Sequence, residues 1–165
     1  MRSSGYNSNC CEGGINLKIL KKVNNQGFGN NVLFINASEN VTGNTSKLGN
    51  KLLKGNKYRQ LNLVDYKIYQ IGQKFSDDQF NDVLGVIEQS ETVILGTPVY
   101  WHTMSGYLKT LLERLSQDSD KDALHDKSIG VFVQGSSPSD TIEPTNSIIK
   151  TFARVAGMKY IEMRY

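Results

Sequence analysis

From Asn31 onward the chain alternates short, nearly continuous apolar runs with stretches of helical periodicity, and this rhythm restricts the fold more than any other feature. Val32-Leu33-Phe34-Ile35, Thr92-Val93-Ile94-Leu95 and Ile129 to Val133 read as buried strands, Tyr58 to Leu63 as a weaker one, and Tyr160-Ile161-Glu162-Met163 as a short fifth. Between them, Leu48, Leu52 and Leu53 share one helical face, opened by Asn44 or Thr45 and closed near Gly55. Ser76-Asp77-Asp78-Gln79 fits a capping box ahead of Phe80, Val83, Leu84 and Ile87. Leu108, Leu111, Leu112 and Leu115 mark a third helix, and Ile148, Ile149, Phe152 and Val155 a fourth, stopped at Gly157. Strands that apolar need cover on both faces. Five of them alternating with four helices predict an α/β fold, a doubly wound parallel sheet joined by right-handed crossovers. In such sheets ligands bind outside the carboxyl ends of the strands, which points to the loops after Ile35, Leu95 and Val133.

The chain's 165 residues suit one domain, assigned to 31–165, which should bury roughly 70% of its unfolded surface. Residues 1–30 are Gly-, Ser- and Asn-rich around one apolar patch, Ile15 to Val23, and read as an N-terminal extension whose order the sequence leaves open. Gly27-Phe28-Gly29 is no dinucleotide fingerprint, because it precedes a strand instead of following one. The net charge of +3 is spread among acids without a basic run, so no nucleic-acid partner is expected. The polar start and the lack of a run of roughly 18 apolar residues predict a cytoplasmic protein with no membrane partner. Adjacent Cys10 and Cys11 lack zinc or disulfide spacing, and two histidines, His102 and His125, are too few for a metal cluster, so no metal is expected.

Two loops carry most of the chemical signal. Asn36 to Ser46 runs from a strand end into a helix start, with more hydroxyl and amide side chains than one cap requires. Such convergence on the positive end of a helix suits a phosphate. Turn-making and capping alone would also explain part of that composition. The second loop, Gly96 to Gly106, sets Tyr100 and Trp101 side by side, where they could stack on a flat ring or pack beneath the next helix.

Ile35-Asn36-Ala37-Ser38-Glu39 with Gly43-Asn44-Thr45 resembles the phosphate loop of the flavodoxin-like NAD(P)H-dependent FMN reductase superfamily. Leu95 to Trp101 and Met104 to Lys109 resemble that family's second flavin loop, and the similarity spans about 31–165. The resemblance implies a flavodoxin-like five-stranded sheet and FMN as cofactor, with Ser38, Asn40, Asn44, Thr45 and Ser46 on the phosphate. It also implies Pro98, Val99, Tyr100 and Trp101 along the isoalloxazine ring, with Gln134, Gly135 and Ser136 completing that site. Ala37 and Glu39 replace the family's usual glycine and proline, and Glu39 is expected to face solvent. Absence of cysteine from Tyr58 to Glu91 excludes the cluster of the related iron-sulfur flavoproteins. The family's final helix has no counterpart before Tyr165.

The function implied is an oxidoreductase taking NADH or NADPH as co-substrate and reducing a small-molecule quinone, azo, nitro or flavin acceptor, with no catalytic side chain assigned. The alternative is a flavodoxin-type electron carrier, which a pI near 8.8 disfavours because such carriers present an acidic rim. A homo-oligomer is expected.

Overall fold

A computed structural model describes Phe28, residues 31–118 and residues 122–163, with the side chain of residue 118 left aside. The apolar patch Ile15 to Val23 and both cysteines lie outside the described residues. The elements run β1 (Val32–Asn36), α1 (Asn44–Leu52), β2 (Tyr58–Asn62), α2 (Phe80–Glu88), β3 (Thr92–Tyr100), β4 (Thr103–Met104), α3 (Gly106–Asp118), β5 (Ser128–Gln134), α4 (Ser139–Val155) and β6 (Lys159–Ile161). Five strands pair in parallel in the order β2-β1-β3-β5-β6, so the order reverses between β1 and β3. That is the flavodoxin-like doubly wound sheet. Among the described residues no helix is long and apolar enough to cross a membrane.

Apolar side chains pack on both faces of the sheet. One face carries Leu33, Ile35, Val93, Leu95 and Val131 against Val83 and Ile87 of α2, Leu108 and Leu111 of α3, and Ile149 and Ala153 of α4. The other centres on Phe34, Ile94 and Phe132 with Leu52 and Leu53. Phe28 joins this second cluster although it falls on the extension side of residue 31, and its carbonyl accepts from Thr92 Oγ1 at 2.8 Å. Gly49 lets α1 sit directly on the Phe34 ring, since a Cβ there would lie 2.4 Å from Phe34 Cζ.

Four expectations are corrected. β3 does not end at Leu95: it continues through Gly96-Thr97-Pro98 to Tyr100 and folds back as a hairpin, Val99 opposite Met104. Ser76 caps nothing, because α2 begins at Phe80, whose amide is taken by Asp78 Oδ1 at 2.9 Å. Asp77 is meanwhile held by Lys67 Nζ at 2.8 Å and Tyr69 OH at 3.0 Å. α4 starts at Ser139, nine residues before Ile148, and runs through Pro144. Its inward face is Thr141, Thr145, Ile149 and Ala153, which leaves Ile148 and Val155 exposed at 41% and 76%.

Candidate cofactor site

The carboxyl ends of β1, β3 and β5 meet at the switch in strand order, and all three signal-bearing loops leave from there. The first loop is organised by Asn36, fully buried at the end of β1. Its Nδ2 donates to Asn62 Oδ1 at 3.3 Å and to the Asn40 carbonyl at 3.4 Å, while its Oδ1 accepts from Ser38 N at 3.3 Å. Ser38 Oγ accepts from Asn40 N, and Asn40 Oδ1 from Thr42 N, both at 3.1 Å. These are the short polar turns that Ser and Asn form with their own backbone. The Ser46 hydroxyl donates to Gln60 Oε1 at 3.2 Å. Thr45 is buried, Asn44 is exposed, and Glu39 faces solvent as expected.

The start of α1 has the features that suit an anion. Gly43 is its N-cap and supplies no side-chain hydrogen bond, and the first turn contains no acidic residue. The amides of Asn44, Thr45 and Ser46 therefore have no capping side chain, the arrangement by which helix N-termini accept phosphates. Ser38, Asn40, Asn44, Thr45 and Ser46 stand together in this loop and first turn, with three of the five side-chain groups already engaged in shaping it.

At β3, Trp101 and His102 form the two-residue turn to β4, with φ of 50° and 63°. Positive φ at both positions is the primed hairpin turn that ordinarily selects Asn-Gly, so Trp and His hold it at a cost. Buried Thr97 supports the hairpin from below: its Oγ1 accepts from Ser105 N at 2.9 Å, and Ser105 Oγ caps α3 through Leu108 N at 3.2 Å. A cavity of about 310 Å³ lies between this tip and the loop after β5, lined by Val99, Trp101, His102, Gly135, Ser136 and Ser137. His102 Nδ1 meets Asp140 Oδ2 at 2.5 Å, joining the hairpin to the first turn of α4. That contact, then a hydrogen bond from Thr141, holds the Asp140 carboxyl below the usual carboxylate range. An ionised carboxylate only accepts, so the imidazole carries the hydrogen. Tyr100 reaches the opposite way, its OH accepting from Glu39 N at 3.4 Å.

Of the ring-site expectations, Val99, Trp101, Gly135 and Ser136 line this cavity. Pro98 and Gln134 are paired strand residues just beneath it, and Tyr100 stands between hairpin and phosphate loop. Sequence reasoning passed over Gln60 and Asn62, which brace the first loop, Ser137, which lines the cavity, and Asp140, which holds His102 at its edge. Their only signal was positional: Gln60 and Asn62 alternate on one side of β2. A flat cofactor with a phosphate tail fits these features, the uncapped α1 terminus for the anion and the polar-edged slot for the ring.

Comparison with known proteins agrees. A family model described as NADPH-dependent FMN reductase matches residues 30–164. A Bacillus subtilis (strain 168) protein, YwqN, which carries the name of an NAD(P)H-dependent FMN-containing oxidoreductase, is 31% identical over 94 residues, 52% of each chain. The matched part thus spans about half of that relative's length. In fold, the chain is similar to the Trp repressor binding protein of Bacillus subtilis, with a TM-score of 0.59 at 22% identity over 81% of this chain and 88% of that one. It is similar also to FerB of Paracoccus denitrificans, at 0.60 and 16% over 82% and 76%. FMN is the cofactor that the family implies, with NAD(P)H as donor. The chain belongs to the NADPH-dependent FMN reductase family.

Proposed function

We propose that the chain is an FMN-dependent oxidoreductase that oxidises NADH or NADPH and reduces a small organic acceptor. The observation that carries this reading is the meeting, at one switch point, of an uncapped helix N-terminus and an open slot edged by Trp101, His102 and the Gly135 to Ser137 backbone. Backbone amides of Asn44, Thr45 and Ser46, with Ser38 and Thr45 hydroxyls, would hold the phosphate. Val99 and Trp101 would bound the ring on one side and Gly135 and Ser136 on the other. The chemistry such a cofactor supplies when bound is electron transfer between a nicotinamide and an acceptor. The overall balance for a quinone is NAD(P)H plus one proton giving NAD(P)⁺ and the hydroquinone. The protein's part is to bind and orient, and to place His102, tied to Asp140, at the rim where a proton can be held. The reading includes a homo-oligomer, supported by apolar side chains exposed at Phe75, Tyr107, Ile148 and Val155.

The test is FMN titration followed by steady-state NAD(P)H oxidation with a quinone. Loss of one hydrogen bond to a charged group costs roughly 1.5–3 kcal/mol, so Thr45→Ala should weaken FMN binding about ten- to a hundredfold. Melting curves of the apoprotein check that the variant is folded. FMN affinity unchanged in Thr45→Ala would remove the phosphate assignment. FMN-loaded protein that turns over neither nicotinamide would remove the enzyme.

A further inference from the structure

α4 carries more low-polarity surface than its own core uses. Thr141, Thr145, Ile149 and Ala153 point inward, yet Pro144, Ile148, Thr151 and Val155 form a second line along the helix, and all four are exposed. They are spaced by four, three and four residues. On an α-helix that spacing keeps them within an arc of about 60° over a length of about 17 Å. It is also the spacing of the seam through which two helices pack side by side.

Two charges border this line on one flank, Glu143 near its start and Arg154 near its end, and both are exposed. Among the described residues neither forms an ion pair within its own chain. Other polar side chains of α4 are already engaged. Lys150 Nζ lies 5.3 Å from the centre of the Tyr160 ring, Tyr160 OH donates to Asn146 Oδ1 at 3.1 Å, and Asp140 holds His102.

The line is symmetric about the level of Ile149 and Lys150, with opposite charges toward its two ends. A parallel neighbour would set Glu143 against Glu143 and Arg154 against Arg154. An antiparallel copy instead lays Ile148 over Thr151 and Pro144 over Val155, and it brings Glu143 within one helical turn of Arg154, twice over. A surface that complements itself under reversal makes the isologous contact of a two-fold dimer, a match that no unrelated partner requires. We propose that this face of α4 is the interface with a second copy of the chain, the two α4 helices lying antiparallel about a two-fold axis. The proposal rests on the homo-oligomer of the reading above and is independent of its chemistry.

Sedimentation velocity of the full chain tests it without any cofactor. One helix pair is a small interface, so dimer should be absent at about 1 µM and evident by about 100 µM. Ile148→Glu should abolish it, with an unchanged melting curve at the lowest concentration showing that the exposed site tolerates the change. Arg154→Glu, which turns two attractions into two repulsions, should weaken the dimer about tenfold or more, and the double variant Glu143→Arg/Arg154→Glu should restore it to within about threefold. A wild-type chain that stays monomeric at about 100 µM overturns this interface together with the homo-oligomer. A dimer that survives both Ile148→Glu and Arg154→Glu leaves the homo-oligomer standing and overturns this face. Loss of the dimer in Arg154→Glu without recovery in the double variant overturns the antiparallel arrangement. FMN titration on the same preparations reads the proposed function separately.

Discussion

Two glycines fix how the phosphate loop is carried. Gly49 on α1 and Gly96 on β3 both lie against Phe34, and a Cβ on Gly96 would come 2.5 Å from Phe132 Cζ and 2.8 Å from Phe34 Cε2. Carbon atoms rest at about 3.5–4.0 Å, and both rings are fully buried, so neither can swing aside. Alanine at position 49 would gain about 1 kcal/mol of helix propensity but meet an overpacking cost of about 1–3 kcal/mol. Clash wins: Gly49→Ala should lower the melting temperature and, by lifting α1, weaken FMN binding. Gly85→Ala on α2, where a Cβ meets nothing within 4 Å, should raise it by contrast. Calorimetry on the pair decides, and Gly49→Ala melting as high as Gly85→Ala would mean that α1 does not sit on Phe34 as described. At this scale the sequence disclosed the loop residues themselves, because Ser, Asn and Thr packed ahead of an apolar-periodic stretch carry local chemistry. It did not disclose Gln60 or Asn62, whose role arises only when β2 pairs with β1 in register Ile35 to Leu61 and Asn36 to Asn62.

Among elements, the β3 hairpin departs furthest from its local sequence. Gly96, Thr97 and Pro98 look like the end of a strand, yet β3 goes on because β5 still pairs with it as far as Gln134. β1 has stopped at Asn36, opposite Gly96, so by Pro98 the strand has a parallel neighbour on one side only, where proline is tolerated. The same blindness hid the first half of α4, whose inward face uses Thr141 and Thr145 where a periodicity search looks for Leu or Ile. At the hairpin tip, Trp101 is 93% exposed and left-handed, a conformation costing an L-residue roughly 1–2 kcal/mol. Strain kept beside a cavity argues for a ligand-facing role. Asn tolerates that conformation, and so exposed an indole gives up little burial. Trp101→Asn should therefore stabilise the apoprotein by about 1 kcal/mol, near 2–4 °C in Tm for a chain of this size, while weakening FMN. A lower Tm would show that the indole packs onto the hairpin and that its exposure is not its role.

At the scale of the whole molecule, the alternation of apolar runs and helical periodicity was enough to specify a doubly wound sheet, since parallel strands need crossovers and crossovers need helices on both faces. What it left open was charge placement, which decides between enzyme and carrier. A carrier meets its protein partner through a rim of one sign. Among the described residues, charges on α3 and on the segment after β2 come in opposed pairs: Lys67 with Asp77, Arg114 with Asp78, Lys109 with Glu113. Such pairs cancel beyond their own length, and a net charge of +3 over 165 residues leaves a weak overall field. Salt then provides the test, because the Debye length falls from about 30 Å at 0.01 M to about 8 Å at 0.15 M. With the nicotinamide held saturating, so that its own phosphates drop out, kcat/KM for a neutral quinone should stay within about twofold across that range, there being no steering to screen. Electron exchange with a charged protein partner, the carrier's task, should instead fall about tenfold or more as steering is lost. Stopped-flow traces of both reactions on one preparation give the comparison, and a quinone rate that collapses with salt alongside the protein partner's would set the enzyme reading aside.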